Sequence, residues 1–182
     1  MAAVCVFCAS STALDERWLE LARQVGSALA AAGHRLVSGG GRVGMMGTVA
    51  AGARAAGAHT VGVMPESMMP LEIADADADE FLVTDGMASR KTLMIERSDA
   101  FLVLPGGLGT LDELFEVWTT GMLGLHDKPV VLLDPDGFYT GLLEWLRGLV
   151  APGFVRASAL DRLRVVHTVA DAVEACRTPV VS

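Results

Sequence analysis

Lysine is nearly missing from this sequence, occurring only as Lys91 and Lys128. Chemistry that needs a Schiff-base lysine therefore has two candidates and no evident partner for a pyridinium nitrogen, which disfavours a pyridoxal-dependent enzyme. Cations are outnumbered as well, 14 Lys and Arg against 22 Asp and Glu, for a formal charge of -8. Such a surface suits neither nucleic acid nor anionic membrane. An anionic ligand would need a local pocket of positive charge and backbone N–H groups. Apolar runs stop at strand length, short of the ~18 residues a membrane helix requires. The opening MAAVCVFCASS has no basic segment and reads as a strand rather than a signal peptide, so the expected setting is cytoplasmic. Cysteine is sparse too: Cys5, Cys8 and Cys176. On a strand, the C-x-x-C spacing of the first two points them to opposite faces, and no second Cys or His pair completes a zinc site. Buried free thiols are expected, with no metal and no cofactor.

What is present is a regular alternation. Near-continuous apolar segments at 4–9, 35–38, 60–64, 81–84, 100–104, 130–133 and 164–166 read as strands. Helical spacing fills 14–32, 44–56, 87–98, 110–123, 138–149 and 169–176. Fully apolar strands alternating with helices predict a single α/β domain over 1–182, a Rossmann-like three-layer fold whose mostly parallel sheet has about seven strands. The segment 66–80 reads as a surface excursion. Ligands of such sheets sit beyond the carboxyl ends of the strands, which directs attention to the residues just after each one.

Two glycine loops lie there. In VSGGGRVGMMG, Gly39, Gly41 and Gly44 fit G-x-G-x-x-G between a strand and a helix, with Glu66 placed near the next strand end, as in a dinucleotide site. The same match also arises from close helix-to-strand packing. In VLPGGLGTLDELFEVW, Gly106, Gly107 and Gly109 remove Cβ atoms ahead of a helix expected to start near Thr110. Free N–H groups and the positive dipole end would form a phosphate cradle. Thr110-x-x-Glu113 is also a capping-box pattern, although one cap does not need three glycines. Arg90 and Lys91 are adjacent near a helix start, where the dipole disfavours cations, and follow the fourth strand onto the same edge.

Together these motifs resemble the LONELY GUY (LOG) family of cytokinin riboside 5'-monophosphate phosphoribohydrolases. They are P-G-G-x-G-T-x-x-E over 105–113, Arg90-Lys91 after Met87, CVFCASS, SGGGRVGMMG, SDAFLVLPGG and LGLHDKPVVLLD. The resemblance runs from about Val4 to Leu149. It implies a Rossmann-like homodimer that hydrolyses the N-glycosidic bond of a nucleoside 5'-monophosphate, releasing adenine or an N6-modified adenine and ribose 5-phosphate. By the same resemblance Arg90 and Glu113 match the catalytic pair. Gly107, Leu108, Gly109, Thr110, Leu111, Asp112 and Glu113 match the phosphate- and ribose-binding loop, and Glu72, Lys91 and Thr119 match further ligand contacts. Ala88 stands where many members have His, and Ser38 where many have Tyr; both bear on base or ribose preference.

The chemistry is consistent with these side chains. Cleavage of a ribosyl C–N bond passes through an oxocarbenium-like state that a carboxylate, here Glu113, stabilises or meets with an activated water. A guanidinium stays protonated, so Arg90 is suited to holding the anion rather than giving up a proton. The rival reading is a non-catalytic nucleotide or cofactor carrier of the same fold, which needs the glycine loop but not Arg90 with Glu113.

Overall fold

A computed structural model describes residues 1–70 and 73–177. Seven strands run parallel in the order β4-β3-β2-β1-β5-β6-β7: β1 (Ala3–Phe7), β2 (Arg35–Ser38), β3 (Thr60–Pro65), β4 (Glu80–Thr84), β5 (Ala100–Val103), β6 (Val130–Leu133) and β7 (Leu163–Val166). The helices are α1 (Glu16–Ala31), α2 (Gly44–Ala55), α3 (Met87–Glu96), α4 (Leu108–Met122), α5 (Thr140–Gly148), α6 (Ala157–Leu160) and α7 (Val169–Arg177). No described helix is long and apolar enough to cross a membrane.

Strand alternation sorts the core into two layers. Val4 and Val6 face α1, α2 and α7, burying Leu29, Val49 and Val173. Cys5 and Phe7 face the opposite layer, with Met94 of α3, Leu114 of α4 and Leu143 of α5. Cys5 and Cys8 therefore fall on opposite faces, and all three thiols are free and buried. Burial pushes each thiol up, Cys176 to about 12, so none ionises near neutrality.

Most expected elements are present, with shifted ends. Asp15 caps α1, accepting from the Arg17 N–H at 2.9 Å. The first strand stops at Phe7, which releases Cys8, Ala9 and Ser10 from the sheet. The four-residue α6 has too short a periodicity to be read from sequence. The excursion after β3 holds a 3₁₀ turn over Glu66–Met68, and Ala74 bridges antiparallel to Gly41.

Candidate active site

From β1 the chain winds outward to β4, then returns to place β5 on the other side of β1. The loops after β1 and β5 diverge at this switch point, where doubly wound sheets open a crevice. A cleft of about 350 Å³ lies there, lined by Cys8, Ser10, Met46, Met68, Met87, Arg90, Gly107, Leu108, Asp112 and Glu113, among others. Its walls are tied together by backbone. The Ala9 N–H donates to the Pro105 carbonyl at 3.3 Å, and the Met46 N–H donates to the Ala9 carbonyl at 3.3 Å.

The second glycine loop forms one wall. Helix α4 begins at Leu108, two residues ahead of the expected start, with Gly107 as its uncapped N-cap. The first intrahelical bond runs from the Leu111 N–H to the Gly107 carbonyl at 3.0 Å. The N–H groups of Leu108, Gly109 and Thr110 precede that ladder, at the end of the helix where the dipole favours an anion. Thr110 and Glu113 form no capping box, because Thr110 lies inside the first turn. The glycines have two different tasks. A Cβ on Gly106 would sit 2.1 Å from Thr110 Oγ1, so Gly106 makes room for the buried threonine. Around Gly107 and Gly109 no atom lies within 4 Å of where a Cβ would be, so both leave the surface open.

The first glycine loop does not act as a dinucleotide cradle. Its space is filled by Arg90, which is only 5% exposed. Arg90 Nε donates to the Val63 carbonyl at 3.1 Å, and Nη2 donates to the Gly39 carbonyl at 3.0 Å. The loop's own donors are engaged: Gly41 N–H meets the Met46 sulfur at 3.2 Å, and Arg42 N–H reaches the Ile73 carbonyl at 2.8 Å. Few N–H groups remain for a pyrophosphate. Glu66, the expected ribose acid, is exposed in its 3₁₀ turn.

Glu113 lies on the cleft side of α4. Burial is the main influence on its carboxyl and raises it from 4.5 to about 7; Arg90 opposes the shift, and Asp112 adds to it. A cleft carboxyl that titrates near neutrality is a mark of acid–base function. Lys91 points elsewhere. Its Nζ lies 3.0 Å from Asp112 Oδ2 and 2.6 Å from Glu116 Oε2, clasping α3 to α4. Those carboxylates raise the lysine's pKa, chiefly through Glu116.

The cleft thus gathers Arg90, Gly107, Leu108, Gly109, Thr110, Asp112 and Glu113. Leu111 turns its side chain into the core. Thr119 lies two turns further along α4, on a separate apolar groove with Trp118, Met122 and Phe154. Glu72 lies outside the described residues. Met46, Met68, Met87 and Cys8 also line the cleft, although the sequence marked Cys8 only as a buried thiol and Met87 only as part of a motif, and gave Met46 and Met68 no role. A larger groove of about 690 Å³ lies between α1 and α2, but its arginines are engaged by carboxylates: Arg54 by Asp75 at 2.7 Å, Arg23 by Glu20 and Glu16, and Arg42 by Asp77 at 4.0 Å.

A parallel doubly wound sheet with an open helix N-terminus, a buried arginine and a neutral-range carboxyl at its switch point defines a Rossmann-like protein with a candidate anion-binding site. The profile described as "Possible lysine decarboxylase" matches residues 46–176. The chain is 56% identical to the cytokinin riboside 5'-monophosphate phosphoribohydrolase of Mycobacterium tuberculosis, with 95% of this chain and 92% of that protein covered. It is 40% identical to the Arabidopsis thaliana enzyme LOG3, with 87% and 74% covered. Among solved structures, the molybdenum cofactor carrier protein of Chlamydomonas reinhardtii superposes with a TM-score of 0.72 at 25% identity, covering 96% of this chain and 95% of that one. This chain belongs to the LOG family.

Proposed function

We propose that this protein hydrolyses the N-glycosidic bond of adenosine 5'-monophosphates, AMP or its N6-modified forms, to free base and ribose 5-phosphate. The observation that carries the reading is that Glu113, titrating near 7, shares one cleft with Arg90 and the open N-terminus of α4. The 5'-phosphate lies against the N–H groups of Leu108, Gly109 and Thr110, with the dipole end favouring its charge. The C1'–N9 bond breaks and its electron pair leaves with the base. Ionised Glu113 faces the cationic sugar and takes a proton from the water that adds to C1'. The sugar keeps the hydroxyl, and the base takes up a proton on nitrogen. Arg90 supplies fixed positive charge for the phosphate or the departing base.

Met46, Met68 and Met87 give the cleft a soft, polarisable wall suited to a planar base and an apolar N6 substituent. Lys91 supports the site from outside, through Asp112 and Glu116 on the helix that carries Glu113. The groove that holds Thr119 is apolar and bears Leu123, 63% exposed, and Phe154, 81% exposed. That exposure supports a homodimer in which Thr119 serves a site only across the interface. Three buried free thiols accord with a cytoplasmic setting. The likeness to a carrier protein favours a second reading, a non-catalytic nucleotide or cofactor carrier, in which Glu113 has no task.

Incubation with AMP and with N6-isopentenyladenosine 5'-monophosphate, followed by chromatography, tests the proposal. Free base and ribose 5-phosphate are expected, with no release from the unphosphorylated nucleosides. Tight nucleotide binding without base release would establish the carrier reading instead.

A further inference from the structure

The G-x-G-x-x-G loop has a task that its pattern does not suggest. Arg90 is a long cation on the first turns of α3, where the helix dipole disfavours it. It is nonetheless buried, so its charge needs fixed partners. Two of its five N–H groups go to the backbone carbonyls of Val63 and Gly39, leaving the Nη1 edge toward the cleft, 3.8 Å from the Met87 sulfur. The Gly39 carbonyl is reachable only because residue 39 has no side chain. A Cβ there would lie 1.9 Å from Arg90 Nη2 and 3.0 Å from the Met46 sulfur. The loop is also braced from behind. Gly40 has φ +74°, and its carbonyl accepts from the Asp75 N–H at 2.9 Å. Asp75 is in turn held by both terminal nitrogens of Arg54, at 2.7 and 3.0 Å.

We propose that Gly39 is a positioning residue: the first glycine loop is a rigid carbonyl socket that aims the Arg90 guanidinium into the cleft. The socket binds a side chain of its own chain rather than a nucleotide. This inference rests on the role given to Arg90 above, and the test separates the two.

The test is a double-mutant cycle of Gly39→Ala and Arg90→Ala on the full chain, read by kcat, KM and thermal melting with a nucleoside 5'-monophosphate. Displacing the guanidinium by an ångström or so is expected to lower kcat/KM on the order of 10²-fold in Gly39→Ala, mainly through kcat. In the Arg90→Ala background the guanidinium clash is gone and only the flexible Met46 side chain, its sulfur at 3.0 Å, has to give slightly, so adding Gly39→Ala should change kcat/KM less than about twofold and leave the melting temperature close to where Arg90→Ala puts it. If Gly39→Ala unfolds with Arg90 present but folds without it, the clash is with the guanidinium and the socket stands. Wild-type kinetics for Gly39→Ala, equal losses in both backgrounds, or unfolding in both backgrounds would overturn it. Full activity of Arg90→Ala alone would instead remove the role assigned to Arg90, and the socket's catalytic meaning with it.

Discussion

The Tyr139 hydroxyl donates to the Leu104 carbonyl at 2.7 Å, both groups buried. This is the chain's single tyrosine, and it anchors the exit of β5 just before the glycines of the candidate site. Its own backbone N–H is held by Asp134 Oδ1 at 2.6 Å, so the anchor is fixed at both ends. Tyr139→Phe leaves the Leu104 carbonyl without this donor and is expected to cost about 1–2 kcal/mol of stability. Urea unfolding measures that loss. KM for the nucleotide should rise with it, as the loop ahead of α4 loosens; an unchanged KM would mean that the rest of the sheet holds the loop.

The elevated Glu113 carboxyl has opposite consequences for activity and stability. If the ionised form works, kcat/KM rises as pH passes through about 7. For stability, the unfolded chain loses this proton near 4.5, while the folded chain keeps it to about 7. Folding therefore weakens as pH rises through that window, and the loss persists above it. Glu113→Gln should lower kcat by roughly 10²–10⁴-fold. It should also be more stable than the wild type at pH 8, by about 1–2 kcal/mol after allowance for the side chain's partial exposure. Parallel melts at pH 5 and pH 8 decide the matter, because the difference should shrink to about a quarter at the lower pH.

Lys91 tunes that carboxyl at a distance. Its cation lowers the Glu113 pKa, while Asp112 and Glu116, which it neutralises, raise it. Lys91→Met is expected to shift the acidic limb of the pH–rate profile to higher pH. A reduced rate with an unmoved limb would place Lys91 in direct contact with substrate instead.

The layers and all seven strands were legible in the sequence because each strand is a nearly unbroken apolar run, as in Val130–Leu133. The open surface of the second glycine loop was legible because Gly107 and Gly109 leave space through absent side chains, which sequence displays directly. The first was misleading for the same reason. Gly39 and Gly41 satisfy a spacing rule, but the purpose of Gly39 is set by Arg90, 51 residues away in the chain, and by a backbone carbonyl that no residue letter encodes. Met46 was missed because a buried methionine in a sequence reads as core, and Met68 because it lies in a segment that reads as a surface excursion.

Gly109 separates stability from binding. It sits in the first turn of α4 with nothing within 4 Å of a Cβ position. Gly109→Ala should therefore stabilise the helix, by up to about 0.5–1 kcal/mol. The added methyl, however, stands where a phosphate would approach the N–H groups. KM for the 5'-monophosphate should rise about tenfold or more, equivalent to ~1.4 kcal/mol of binding, while the melting temperature holds or climbs. Unchanged KM would move the phosphate away from this helix end.

Thr119 offers the last test, because within one chain it faces away from Glu113. Six residues separate them on α4, a rise of ~9 Å along the axis, and Thr119 borders the apolar groove of about 380 Å³ with Phe115, Met122 and Leu123. If a second copy covers this face, Leu123→Glu places a charge in the seam. Sedimentation should then show a monomer where the parent is a dimer. A site that depends on the neighbouring copy loses activity in step with dissociation, and raising the protein concentration should restore part of it. Monomeric protein with full turnover would confine the chemistry to one chain and leave Thr119 without a role in it.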